Sequence, residues 1–80
     1  MAGPRKPGAS NTGQVTRGQG GREIYIEFVT LGGTVKVTAI DAATGTEASI
    51  VGPANALRAA LEQAAVNKLE YVLKKQNSGH

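Results

Sequence analysis

Cysteine is absent from the 80-residue chain, so neither a disulfide nor thiolate chemistry is open to it. That absence suits a reducing compartment, and a bacterial cytoplasm is the expected setting. The single histidine is the last residue, His80, and is expected to be mobile rather than catalytic. No apolar run approaches the ~20 residues of a membrane-spanning helix. The first residues lack the apolar stretch of a secretory signal, so neither membrane nor export is expected. Acidic residues are missing up to Arg22, and before that point Val15 is almost the only large apolar residue.

What is present is unevenly placed. Six of the 11 glycines precede Arg22, as do Pro4 and Pro7. Such a segment buries too little to offset its ordering entropy. Residues 1–21 therefore read as a disordered basic, Gly-rich tail, 22–76 as one domain, and 77–80 as a C-terminal tail. Cations up to Arg22 are Arg5, Lys6, Arg17 and Arg22; the remainder carries five cations against six acids, so the net charge of +3 belongs to the tail. About 55 residues without a staple make a marginal domain, for which self-association is a reasonable source of stability.

Within the domain the pattern is that of an α+β fold. Residues about 22–31, 34–41 and 46–51 alternate as strands, and about 53–75 reads as one long C-terminal helix packed on one face of a three-stranded antiparallel meander. Gly32-Gly33 suits a two-residue hairpin turn, because glycine accepts positive φ without steric cost. That turn sets Val29 opposite Lys36, Phe28 opposite Val37, Glu27 opposite Thr38 and Ile26 opposite Ala39. Asp41 and Gly45 suit the ends of a second turn, which sets Ala39 opposite Ala48, Thr38 opposite Ser49 and Val37 opposite Ile50. The helix is rich in Ala, Leu, Glu, Lys and Gln. Leu57, Leu61, Ala64, Ala65, Leu69, Val72 and Leu73 recur at helical spacing on it. Such a helix, if straight, outruns a six-residue strand, so part of it is expected to overhang the sheet unless it crosses diagonally.

Several features invite a functional reading. A helix covers one face of a sheet, so Tyr25, Val29, Ile40 and Val51 are left on the other as a candidate interface, with a homodimer or another protein as partner. The alternative is an ordinary mixed surface. An open edge strand offers a second route to association. Arg17, Arg22, Lys36, Arg58 and Lys68 are the candidate contacts for a nucleic acid, although Arg17-Gly18-Gln19-Gly20-Gly21-Arg22 has no aromatic residue between its arginines and reads first as a linker. Lys68 and Arg58, on or beside the apolar arc of the helix, are expected to snorkel over the sheet edge. Gly52-Pro53-Ala54-Asn55 opens the helix without the lysine of a phosphate-binding loop and reads as punctuation. Asp41 and Glu47, across the second turn, are the nearest thing to a carboxylate pair for acid–base work. No residue set points to a catalytic centre, a metal or a cofactor, and a non-enzymatic interaction module is expected.

The runs Glu23-Ile24-Tyr25-Ile26-Glu27-Phe28-Val29, Val35-Lys36-Val37-Thr38-Ala39-Ile40-Asp41, Thr44-Gly45-Thr46-Glu47, Ile50-Val51-Gly52-Pro53 and Asn67-Lys68-Leu69-Glu70-Tyr71-Val72-Leu73 resemble a small bacterial protein family, of alphaproteobacterial type, without an assigned activity. The resemblance implies the domain limits and no mechanism. In topology, β-β-β-α is similar to a double-stranded-RNA-binding domain without its first helix. Where that fold places a lysine cluster, this chain has Pro53-Ala54-Asn55-Ala56-Leu57-Arg58.

Overall fold

The computed structural model describes residues 9–78, with side chains described for 13–76. Four strands follow one another: β1 (Ala9–Arg17), β2 (Glu23–Leu31), β3 (Thr34–Asp41) and β4 (Glu47–Pro53). They form one antiparallel sheet in the order β1-β2-β3-β4. A single helix, α1 (Arg58–Ser78), closes the chain and packs chiefly on β3 and β4.

The pairing expected from the two turns is the pairing found. Val29 faces Lys36, Phe28 faces Val37, Glu27 faces Thr38 and Ile26 faces Ala39. Ala39 faces Ala48, Thr38 faces Ser49 and Val37 faces Ile50. Gly32 carries φ 60° in the first turn and Gly45 φ 77° in the second. The second turn closes with Gly45 N–H donating to the Asp41 carbonyl and Asp41 N–H to the Thr46 carbonyl, both at 2.8 Å. One-residue slippage would carry Ile26 and Phe28 out of the core, which is why turn chemistry and apolar pattern must agree.

The core lies between the sheet and α1. Ile24, Ile26, Phe28, Val35, Val37, Ala39 and Ala48 from the strands meet Ala65, Val66, Leu69 and Leu73 from the helix, with Ile50 and Leu61 at its margin. Two of the three residues in the Ile26–Ala39–Ala48 row are alanines, which take up little of the space between sheet and helix.

The meander has four strands, not three. Residues 9–17 pair along the whole of β2, from Ala9 opposite Leu31 to Arg17 opposite Glu23, and Gln19–Gly21 form a 3-10 turn with Gly20 at φ 71° and Gly21 at φ 78°. The tail reading of this part is thus corrected, and residues 1–8 lie outside the described ones. An edge strand can be held by its backbone ladder together with a few polar anchors, and β1 has both. The Gln14 amide donates to Glu62 Oε1 at 2.6 Å, and the Gln19 backbone N–H donates to Glu70 Oε2 at 2.7 Å. Both carboxylates lie on the flank of α1 turned toward β1, so the inward positions of this strand do not need to be apolar.

The helix begins at Arg58 rather than near Pro53. Pro53 stays in β4 opposite Thr34, Ala54 N–H donates to the Gly33 carbonyl at 2.8 Å, and Ala56 N–H turns back to the Pro53 carbonyl at 3.0 Å. Leu61 N–H reaches the Leu57 carbonyl at 3.1 Å, so Leu57 precedes the helix and is exposed rather than part of its apolar stripe. Ala64 is exposed too, and Val66 takes the buried place beside Ala65. The expected overhang does not arise. Twenty-one helical residues span ~31 Å against ~27 Å for the eight residues of β3, and the Thr46 hydroxyl beside β4 still donates to Gln76 Oε1 near the helix end at 3.4 Å. Leu69 and Leu73 are buried, and Val72 is half-buried. The helix also continues through Asn77 and Ser78; residues 79 and 80, with His80, lie outside the described ones.

Candidate functional site

Alternation along each strand sends every second residue away from α1. On this outer face the register builds the rows Val15–Tyr25–Ile40–Glu47 and Gly13–Glu27–Thr38–Ser49, with Val29–Lys36–Val51 beyond them. Tyr25 and Val51 are exposed, at 46% and 66%, while Ile40 and Val29 are half-buried among their neighbours. All four candidate interface residues thus share one face. Val15 and Leu31, exposed at 53% and 59%, extend the apolar area in two directions. Val15 stands alone in a polar segment, so its only sequence signal is the β-branched set Thr12, Val15 and Thr16 ahead of a glycine-rich turn.

The middle row is flatter. Gly13 has no side chain, and a shallow hollow opens there between Val15, Tyr25, Glu27 and Ile40. Thr38 is nearly covered, and its hydroxyl shares a 2.9 Å hydrogen bond with that of Ser49. Charges are sparse and mixed: Glu27 and Lys36 stand exposed near the centre, Glu47 and Arg17 toward the rim.

The five candidate nucleic-acid contacts do not converge. Arg17 ends β1, opposite Glu23, and its Nη1 donates to the Gly21 carbonyl at 3.4 Å. Arg22 turns to the core margin, where Nη1 stands 3.9 Å from Asp41 Oδ1. Lys36 is on the outer face. Arg58 lies on the helix side, its guanidinium 4.1 Å from the centre of the Phe28 ring, a cation–π contact rather than the expected snorkel. Lys68 does snorkel: Nζ donates to the Ser49 carbonyl at 2.8 Å on the outward side of β4. A lysine there blocks part of a free sheet edge.

The two carboxylates that the turn brings together in sequence are separated in space. Asp41 pairs with Ile24 and is fully buried on the helix side, whereas Glu47 pairs with Ile40 and is exposed on the outer face. Asp41 Oδ2 accepts from the Thr44 hydroxyl at 2.7 Å and the Thr44 backbone N–H at 3.2 Å. Asp41 Oδ1 and Arg22 Nε are buried without a hydrogen-bond partner. This is the bonding of a turn-fixing residue. Gly52 packs under Leu61, and with Pro53 in the strand the Gly52–Asn55 segment is not a helix N-terminus. Among the described residues no three or more His, Cys, Asp or Glu side chains gather as metal donors. No helix among them is long and apolar enough to cross a membrane.

Comparison with known proteins adds the family. The family described as "Domain of unknown function (DUF6898)" matches residues 21–76, and the chain belongs to it. The match takes in β2, β3, β4 and nearly all of α1, and β1 lies before it. No curated protein and no solved structure matches the chain.

Proposed function

We propose that this member of the DUF6898 family is a non-enzymatic protein-interaction module that pairs with a second copy of itself through the outer face of the sheet. The observation that carries the reading is the asymmetry of the sheet. One face is closed by α1, while the other presents Val15, Tyr25, Leu31 and Val51 to solvent around half-buried Val29 and Ile40. A second copy suits this face because its few charges are of both signs, so two identical faces do not repel as two single-sign faces would.

Size sets the strength of such a pair. Four strands at ~4.8 Å and about seven residues of length give a face of roughly 19 by 24 Å. Its projected area, on the order of 450 Å², is at the small end of specific interfaces. A face of that size suits a reversible pair rather than an obligate one. A bacterial cytoplasm is the setting we infer, in keeping with a chain that uses no cysteine.

Sedimentation equilibrium from about 1 to 100 µM, the range that brackets a micromolar constant, tests the reading. The wild type is expected to move from monomer to dimer across it. Ile40→Glu and Val51→Glu, each with an unchanged circular dichroism spectrum, are expected to stay monomeric. A folded wild type that remains monomeric throughout would overturn the proposal.

A further inference from the structure

We infer that the two copies stack with their twofold axis parallel to the strands, and that Glu27 and Lys36 of each copy pair crosswise with Lys36 and Glu27 of the other. The inference rests on the face-to-face reading above and gives it a geometry.

The register supplies the coordinates. Rows along the strands are ~6.8 Å apart, neighbouring strands ~4.8 Å, and stacked sheets ~10 Å. A twofold parallel to the strands, set midway between β2 and β3, exchanges β2 with β3 and β1 with β4 and leaves every row at its own level. Tyr25 then stands over the partner's Ile40, and Val29 over the aliphatic stem of the partner's Lys36. Glu27 stands over the partner's Thr38, which is small and already bonded to Ser49. The partner's Lys36 falls above Val29, one row along β2 from Glu27, within reach of two long side chains between the sheets. Symmetry repeats the pair, so both central charges are matched and the large apolar side chains meet.

The charges argue against the other axis. A twofold across the strands through the middle row would lay Glu27 on the partner's Glu27, a like-charge contact in a closing apolar face. It would also set Tyr25 on the partner's Val29 and Ile40 on the partner's Lys36, dividing the Tyr25–Ile40 pair. Edge-to-edge alternatives are weaker at β4, where Lys68 occupies the Ser49 carbonyl and Pro53 offers no N–H.

Two single variants test the crosswise pairing. Glu27 and Lys36 are exposed, so Glu27→Lys and Lys36→Glu should both fold, which a thermal melt checks. Each variant alone turns two attractive contacts into two repulsive ones, and its self-association, read by sedimentation, is expected to weaken at least about tenfold. Mixed in equal amounts, the two variants are expected to form a heterodimer about as readily as the wild type pairs with itself. Within one chain neither variant is repaired by mixing, so recovery reports contact between chains. Three outcomes overturn the inference. If the wild type dimerises but either variant dimerises equally well, or the mixture is no stronger than its parts, the crosswise pairing is wrong and the dimer stands. If Glu27→Lys binds the wild type more tightly than the wild type binds itself, the axis runs across the strands. If the folded wild type is monomeric, the underlying reading falls as well.

Discussion

Asp41 and Gly18 show how single residues fix the corner where β1, β2 and β3 meet. Asp41 is fully buried, and its Oδ2 ties down both the hydroxyl and the backbone N–H of Thr44, while Arg22 stands near Oδ1. Removing that carboxylate takes the acceptor from both Thr44 donors and the counter-charge from Arg22. Asp41→Ala is expected to cost about 3 kcal/mol in a urea titration, and Asp41→Asn, which keeps an acceptor for Thr44, roughly half of that. Gly18 is required by proximity rather than by φ. A Cβ there would stand 2.5 Å from Glu70 Oε2 and 2.6 Å from Ile24 Cδ1, so an added methyl must displace both the anchor of Gln19 and a core side chain. Gly18→Ala is expected to lose about 1–3 kcal/mol. Gly13 is the contrast: the nearest atom to a Cβ there is the Ile26 carbonyl oxygen at 3.8 Å. Gly13→Ala should therefore be neutral or stabilising by up to about 1 kcal/mol, since it removes backbone freedom from the unfolded chain.

Among the elements, β1 is the least anchored. It is an edge strand, and none of its residues with a described side chain is buried. Its amides are expected to exchange with solvent through local opening, while those of β3, paired on both sides, wait for global unfolding. Hydrogen exchange followed residue by residue reads the difference directly; equal protection in β1 and β3 would contradict it. The same weakness explains why β1 was hard to see in the sequence. Strands β2 and β3 announce themselves because their inward residues are large and apolar, and the paired glycines at 32 and 33 fix their register. In β1 the inward Gln14 meets Glu62 of the helix, a match that exists only once the helix has been laid across the sheet. The start of α1 was obscured for a related reason. Proline suits a first helical turn, but Pro53 is also accepted at the end of an edge strand, and the Ala54–Gly33 hydrogen bond holds the chain in the sheet.

For the molecule as a whole, the outer face follows from a simple inequality: one helix, two faces of a sheet. That much was legible from Tyr25, Val29, Ile40 and Val51, whose rows the turns had already set. The extension through Val15 and the hollow at Gly13 depend on β1, so the width of the face could not be read before the fourth strand was in place. The basic residues show the opposite limit. As contacts for one nucleic acid they would have to share a surface, yet Arg17, Arg22, Lys36, Arg58 and Lys68 go to the β1 end, the core margin, the outer face, the Phe28 ring and the β4 edge. Self-association through the uncovered face is tested most directly by amide chemical shifts recorded against protein concentration. Raising the concentration through the micromolar range should shift Tyr25, Glu27, Thr38 and Ile40 along one binding curve and leave the exposed side of α1, around Ala64 and Tyr71, unmoved. Shifts centred on α1, or none on the outer face, would contradict it.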